Sequence, residues 1–323
     1  PRPAHIDDLV DEPRPADPAE TTFRVAASHG TERLSVSLAP DGATCADCLT
    51  ELQVPADRRY LYPFINCVRC GPRYTIMAAL PYDRPNTTMA SFAMCTDCER
   101  EYHDPSDRRF HAQPNACAIC GPHVWLEYAG ETSESLSTAG NNAADSSSAI
   151  MGARQLLDEG RIVAIKGLGG FHLACNALDD AALQTLRERK GRVDKPFAVM
   201  ALDVATIELF AEISADEKEY LLCKERPILL VRKKPNSPLS SLVSPGNQYV
   251  GVMLPYTPLH YLLLQRSAAD GQQSNFNAQQ LPMSNRQTTE VDQGDNELPV
   301  LVMTSGNYSD EPIVKDNDEA RER

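Results

Sequence analysis

The sequence predicts two parts of different class: a small α+β module built around two four-cysteine metal sites, then an α/β domain. Three observations predict it. Eight of the ten cysteines fall into four Cys-x-x-Cys knuckles, Cys45/Cys48, Cys67/Cys70, Cys95/Cys98 and Cys117/Cys120. The second pair of knuckles repeats the first at a fixed offset of 50 residues. From residue 150 onward, apolar strand-like runs alternate with amphipathic helical stretches, the pattern of an α/β layer structure.

The knuckles follow the spacing C-x2-C-x18-C-x2-C twice, with 24 residues between the sets. Zinc favours four thiolates in a tetrahedron, and a two-residue gap lets one turn present both sulfurs of a knuckle to one ion. The repeat extends past the cysteines. Asp57-Arg58-Arg59-Tyr60 returns as Asp107-Arg108-Arg109-Phe110, and Cys70-Gly71-Pro72 returns as Cys120-Gly121-Pro122. Self-similarity at a fixed period marks a duplicated unit, so each repeat is expected to hold its own zinc. Cys45, Cys48, Cys67 and Cys70 make the first set, and Cys95, Cys98, Cys117 and Cys120 the second. The crossed arrangement, outer knuckles together and inner knuckles together, is the alternative. Sets of four thiolates leave no open coordination position, so this zinc is structural. Redox-active Cys-x-x-Cys motifs come singly beside a βαβ unit, unlike this array. Arg58-Arg59 and Arg108-Arg109 are open to two readings: contacts to an acidic partner or phosphate, or helix- and turn-surface residues that tie the repeat together. His103, His111 and His123 are spare beside four thiolates per ion.

Residues 1–40 read as a Pro- and acid-rich linker with two short strands, near 23–25 and 34–38. The zinc module occupies 41–128. Residues 129–149, small and Ser-rich, read as a flexible linker. The α/β domain covers 150–323 and contains a polar insertion, residues 267–297, expected to be a disordered surface loop. Within it a helix over 150–159 precedes the strand Arg161–Lys166. A helix follows over 179–190, with Asp179 or Asp180 as its cap and Gly191 as its stop. Strand Pro196–Met200 comes next, then a helix opened by the capping box Ser214–Glu217. Strands Pro227–Val231 and Tyr249–Met253, a short helix begun by Pro258, and strand Pro299–Met303 complete the domain. The chain starts without an initiator Met and ends in a helical stretch, and both ends read as cuts in a longer protein.

A net charge of −14 argues against a broad nucleic-acid face, so RNA is an unlikely partner. No apolar run is long enough to cross a membrane. Paired cysteines in a chain of 323 residues point to metal in a reducing compartment, taken as the cytoplasm.

Three elements suggest a site for a phosphorylated ligand. Lys166 ends a strand and opens the glycine loop Gly167-Leu168-Gly169-Gly170, where backbone N–H groups can approach an anion. Lys190, Arg192 and Lys195 cluster at a helix end, where they could equally serve the helix dipole. Thr304-Ser305-Gly306-Asn307 follows a buried strand, at the strand end where open sheets bind ligands. The lysines and Arg192 would neutralise phosphates, while Ser305 and Asn307 would hydrogen-bond a phosphate or an amide. Cys175 and Cys223 read as core thiols. No covalent nucleophile or other catalytic residue emerges.

These stretches resemble a known family. The Lys-x-Arg and Lys-Pro stretch with the Ser-x-Asn turn is similar to the YrdC-like fold, a twisted mixed sheet that binds nucleotides. The chain as a whole resembles the HypF carbamoyltransferases of [NiFe]-hydrogenase maturation. The resemblance rests on residues 62–67 with 70–73, 81–85, 108–114, 166–173, 251–260, 303–307 and 309–312. It implies an ATP-dependent carbamoyltransferase that turns carbamoyl phosphate and ATP into carbamoyl adenylate, with Mg accompanying the ATP. The carbamoyl group then passes to the C-terminal cysteine of a HypE-like acceptor protein. The resemblance covers the zinc-finger and YrdC-like parts, with the latter truncated at its C-terminal end and an acylphosphatase part and a further nucleotide-binding domain left out. Such a fragment is expected to lack the overall reaction. By motif position, Lys166, Lys190, Arg192, Ser305 and Asn307 would meet the adenylate or its phosphates. Lys195 and His172 are further candidates, with His172 equally readable as a structural histidine. Two other readings remain: a threonylcarbamoyl-adenylate synthase of tRNA modification, and a non-catalytic zinc-dependent docking module.

Overall fold

The computed structural model describes residues 39–128, 143–265, 299–308 and 311–322. The expected strands near 23–25 and 34–38, linker residues 129–142 and the insertion 267–297 lie outside them.

In the cysteine module the first knuckle of each repeat opens a helix, α1 (Ala46–Gln53) and α2 (Thr96–His103). Cys45 and Cys95 sit at the N-caps, so the two-residue gap is the first helical turn. The second knuckles are turns: Cys70 N–H donates to the Cys67 carbonyl and Cys120 N–H to that of Cys117. Gly71 follows with φ +88, a conformation that glycine adopts without strain.

The α/β domain opens with α3 (Ala143–Asp158). This helix begins before the expected residue 150, so residues 143–149 are helical rather than flexible linker. Ser146 is buried and hydrogen-bonded to the backbone of Val124, an anchor that composition does not reveal. The remaining elements are β1 (Val163–Gly167), β2 (Gly170–Asn176), α4 (Asp180–Lys190), β3 (Ala198–Ala201), α5 (Val204–Phe210), β4 (Ala211–Glu212), α6 (Ala215–Leu222), β5 (Leu229–Lys233), β6 (Tyr249–Met253), α7 (Pro258–Leu264), β7 (Val300–Ser305) and α8 (Asn317–Glu322). Local chemistry sets the helix ends as expected. Asp179 caps α4, Gly191 stops it in the left-handed region at φ +60, the Ser214/Glu217 capping box opens α6, and Pro258 starts α7.

The sheet is mixed, in the order β1-β2-β7-β3-β6-β5-β4, with β3–β6 its one parallel pair among the described residues. One face packs against Leu183, Leu186, Ile207, Phe210 and Leu221 from α4, α5 and α6. The other, carrying Ala174, Met200, Met253 and Met303, joins α3, α7 and the first zinc repeat in one continuous core. The module is therefore docked on the sheet domain. Its backbone adds two hydrogen bonds there, Ala43 N–H to the Lys224 carbonyl and Thr44 N–H to the Tyr256 carbonyl.

The glycine loop after Lys166 folds differently from the expected anion cradle. Gly167 pairs with Gly170, so Leu168-Gly169 is the tip of a β1–β2 hairpin, with Gly169 at φ +80. Strand β2 begins on the last glycine of that loop, Gly170, and was not expected from the sequence.

Candidate functional site

The eight knuckle cysteines gather into two sets, Cys45/Cys48/Cys67/Cys70 and Cys95/Cys98/Cys117/Cys120, with the sulfurs of each set within 4.8 Å of one another. In the first set three of the six sulfur separations are 3.5, 3.7 and 3.8 Å. In the second they are 3.6, 3.8 and 3.8 Å. A tetrahedron of thiolates ~2.3 Å from a zinc ion has edges of ~3.8 Å, so both sets fit one zinc each. The pairing is self-contained within each repeat and not crossed. Backbone N–H groups of Arg69 and Ile119 point at the Cys67 and Cys117 sulfurs, each at 3.4 Å. His103, His111 and His123 are outside both sets.

The paired arginines tie the repeats together, as the second reading expects, but two of the four do so from inside the module. Arg59 and Arg109 are buried, at 1% and 3% exposure, while the Arg58 and Arg108 side chains are partly exposed, at 28% and 22%. The Asp57 and Asp107 carboxylates accept from the Arg59 and Arg109 backbone N–H groups at 2.7 Å, which fixes the loop shape behind the Asp-Arg-Arg repeat. Each pair reaches across to the other repeat. Arg58 and Arg59 pair with Glu101 on α2, and Arg108 and Arg109 with Glu51 on α1. Burial opposes ionisation of Glu101, but the Arg59 and Arg58 guanidiniums prevail and hold its carboxyl at about 2.

A cleft of ≈ 490 Å³ opens on the sheet face that carries the shared core. Among the residues expected at a ligand, it is lined by His172, Arg192 and Ser305. His172 on β2 pairs directly with Ser305 on β7, which puts both side chains on one face. Arg192 lies over the Phe197 ring at 5.0 Å and donates to the Pro196 carbonyl. Burial lowers the His172 pKa, favouring the neutral ring. Behind the cleft wall, His260 is buried against Tyr256, ring to ring at 4.5 Å, and burial pushes its pKa down to about 3.

Lys166, Lys190, Lys195 and Asn307 do not line the cleft. Lys166 alternates with Ile165, the partner of His172, so it points to the opposite face; there it sits over the Phe171 ring and donates to the Asn317 side chain. Lys190 is buried beneath the Ser-Gly-Asn turn and donates to the carbonyls of Ser305 at 2.5 Å and Asn307 at 2.9 Å. Burial, with Arg192 and Lys195 nearby, brings its pKa down to about 8. Asn307 closes the turn, accepting from Ser305 Oγ and donating to the Glu311 carbonyl. Lys195 is exposed. Thr304, which opens the singled-out turn, also lines the cleft, and the residues that sequence reasoning missed are Glu225, Arg226 and Tyr256. Tyr256 was within reach, three residues past strand Tyr249–Met253 at its carboxyl end. Glu225 and Arg226 carried no signal; they sit in the turn after α6, where the Arg226 N–H donates to the Cys223 carbonyl.

The Sua5/YciO/YrdC family model, described as telomere recombination, matches residues 155–323, and the HypF finger model matches 44–77 and 94–127. The carbamoyltransferase HypF2 of Cupriavidus necator is 45% identical over 99% of the chain, and the carbamoyltransferase HypF of Synechocystis is 51% identical over 82%. The chain belongs to the HypF carbamoyltransferase family. It spans about a third of these relatives, 37% and 33% of their lengths. Among solved structures, a full-length HypF in a phosphate- and nucleotide-bound form aligns at TM-score 0.71 with 46% identity, covering 89% of this chain and 32% of that one. The HypF of T. kodakarensis aligns at 0.73 with 41% identity, over 90% and 33%. Among the described residues no helix is long and apolar enough to cross a membrane.

Proposed function

We propose that this chain provides the zinc-finger and adenylate-handling parts of an ATP-dependent carbamoyltransferase. The overall reaction would use carbamoyl phosphate as the carbamoyl source. Water first cleaves carbamoyl phosphate into carbamate and inorganic phosphate; a carbamate oxygen then attacks the α-phosphorus of ATP, the bond to the β-phosphate breaks, and pyrophosphate leaves. The thiolate at the C-terminus of a HypE-like acceptor then attacks the carbamoyl carbon, and AMP leaves. The observation that carries this reading is the cleft, which places Arg192, His172 and Ser305 together at the open end of β2 and β7. The nucleotide-bound relative supports a nucleotide as occupant.

In that cleft Arg192 neutralises a phosphate and Ser305 donates a hydrogen bond to it. His172, kept neutral, can donate and accept with the carbamoyl amide. Lys190 and Asn307 act through the turn that presents Ser305. Lys166 and Lys195, outside the cleft walls, would at most contribute long-range attraction for an anion. Mg would enter as a companion of the ATP phosphates. The zinc ions supply folding and take no chemical step. The cysteine pairs suit a reducing cytoplasm, and the acidic chain suits protein and small-molecule partners over RNA. The finger repeats weigh against a threonylcarbamoyl-adenylate synthase. Docking of a protein on the finger module is compatible with the main reading.

Calorimetric titration of ATP with Mg into the chain tests this. Arg192→Ala is expected to weaken binding by about tenfold or more, the loss of a charge-assisted contact, and Ser305→Ala by less. Unchanged affinity in Arg192→Ala would remove this cleft as the nucleotide site.

A further inference from the structure

The two zinc sites exchange their arginines. In the first repeat, Arg58 Nη2 donates to Cys98 Sγ at 3.1 Å and to Cys95 Sγ at 3.5 Å, both ligands of the second site. Arg59 Nη2 lies 3.6 Å from Cys98 Sγ, and its Nε donates to the Ala116 carbonyl beside Cys117. The second repeat returns the contact. Arg108 Nη2 donates to Cys48 Sγ at 3.2 Å and its Nη1 reaches Cys45 Sγ at 3.8 Å. Arg109 Nε donates to the Asn66 carbonyl beside Cys67. Glu101 and Glu51 complete each crossing by holding the visiting arginines beside the thiolates.

Four thiolates around a divalent ion leave a doubly negative, largely buried centre. Such a centre needs donors and positive charge close by. Here both come from the other repeat. An arginine of one repeat reaches its sulfur only while its own loop is folded, and that loop runs between the two knuckles that its own zinc closes. We propose that the two zinc sites form one linked unit, in which each ion stabilises the thiolate set of the other through the exchanged arginines. Arg58 and Arg108 are positioning residues of the opposite site and not of their own.

The linkage is testable site by site. Arg58 and Arg108 are partly exposed at the side chain, 28% and 22%, so glutamine there leaves the core in place. Zinc affinity of each variant is measured by competition with a chromophoric chelator. Alkylation of unprotected cysteines, read by mass spectrometry, then reports which set has opened. Arg108→Gln is expected to expose Cys45, Cys48, Cys67 and Cys70 at about 10- to 100-fold higher free zinc than in the parent chain, the range for loss of an outer-shell partner. Arg58→Gln is expected to do the same for Cys95, Cys98, Cys117 and Cys120. Arg108→Lys retains charge and is expected to recover part of the loss. Cys120→Ser, which opens the second site directly, is expected to weaken the first by a similar factor. Trp125, the chain's single tryptophan, lies just past Cys120 and gives an independent fluorescence signal for the second site. Opening of only the variant's own repeat, or no change at either set, overturns the exchange. A Cys120→Ser chain whose first site keeps its full affinity overturns the linkage.

Discussion

The two zinc repeats share one blueprint yet live in different surroundings. All four cysteines of the first set are buried, and its Leu52, Tyr62 and Ile65 enter the core shared with the sheet domain. In the second set Cys95 and Cys120 are partly exposed, and the counterparts of Leu52 and Ile65 are Tyr102 and Asn115. Arg69, paired with Asp47 in the first repeat, becomes Ile119, 82% exposed, in the second. What both keep is the metal set, the Asp-Arg-Arg turn and the glutamate on the helix. The difference teaches that the metal chemistry tolerates either setting, while the apolar positions record which repeat docks.

The largest effect separates the repeats at their ligands. Cys67→Ser, at saturating zinc, is expected to unfold the first repeat and lower the melting temperature of the sheet domain with it. Closed four-thiolate sites contribute on the order of 10 kcal/mol to folding of a small module. Cys117→Ser, also at saturating zinc, is expected to lose one zinc and to lower the sheet domain's transition by less, because the first site, though weakened, stays filled. Equal losses in the two variants, followed by calorimetry and zinc per chain, would break the comparison.

Next comes Leu52→Ala, a truncation in the shared core that is expected to cost about 2–5 kcal/mol in urea unfolding. The matching change in the second repeat, Tyr102→Phe, removes a hydrogen bond to the Gln113 side chain and is expected to cost about 1 kcal/mol.

Acid probes the platform under the first repeat. His260 on α7 has its pKa depressed to about 3 by burial, first, and by His172. Below pH ~6.5, the usual histidine value, the unfolded chain takes up a proton that the folded chain refuses. Stability that is complete above that pH therefore falls as pH drops toward the folded value, by at most ~1.4 kcal/mol per unit. Unfolding at pH 7.5, 6.5 and 5.5, compared with His260→Asn, isolates this slope from acid release of zinc. A parallel slope in the variant removes His260 as its source. The smallest effect is Ile119→Arg, which restores the first repeat's residue at an exposed site and is expected to change stability by less than about 0.5 kcal/mol.

Much of the local structure was legible. Cysteine spacing gave the two metal sets because a zinc site is a short-range constraint, closed by knuckles and a loop of fixed length. Asp179, Gly191, Ser214 with Glu217, and Pro258 marked helix ends because capping acts within a few residues. The cleft was only partly legible. Ser305 and Arg192 stood out by type and position, while Lys166, read beside an anion loop, lies outside the cleft wall because Gly167–Gly170 turns a hairpin. A hairpin tip and an anion loop share the same glycines, and only pairing of β1 with β2 tells them apart. Arg58, Arg59, Arg108 and Arg109 looked like surface residues because charge usually stays in water, and nothing local announces a thiolate partner ~40–60 residues away.

The sequence by itself determined the eight ligands, their duplication and the family, since each is written in residue types at fixed spacing. Tertiary structure alone decided that the first repeat docks on the sheet, that Lys166 faces away from His172, and that each repeat's arginines serve the other's sulfurs. Those outcomes depend on which distant surfaces meet, and burial of apolar area and of charge is settled only when the whole chain has folded.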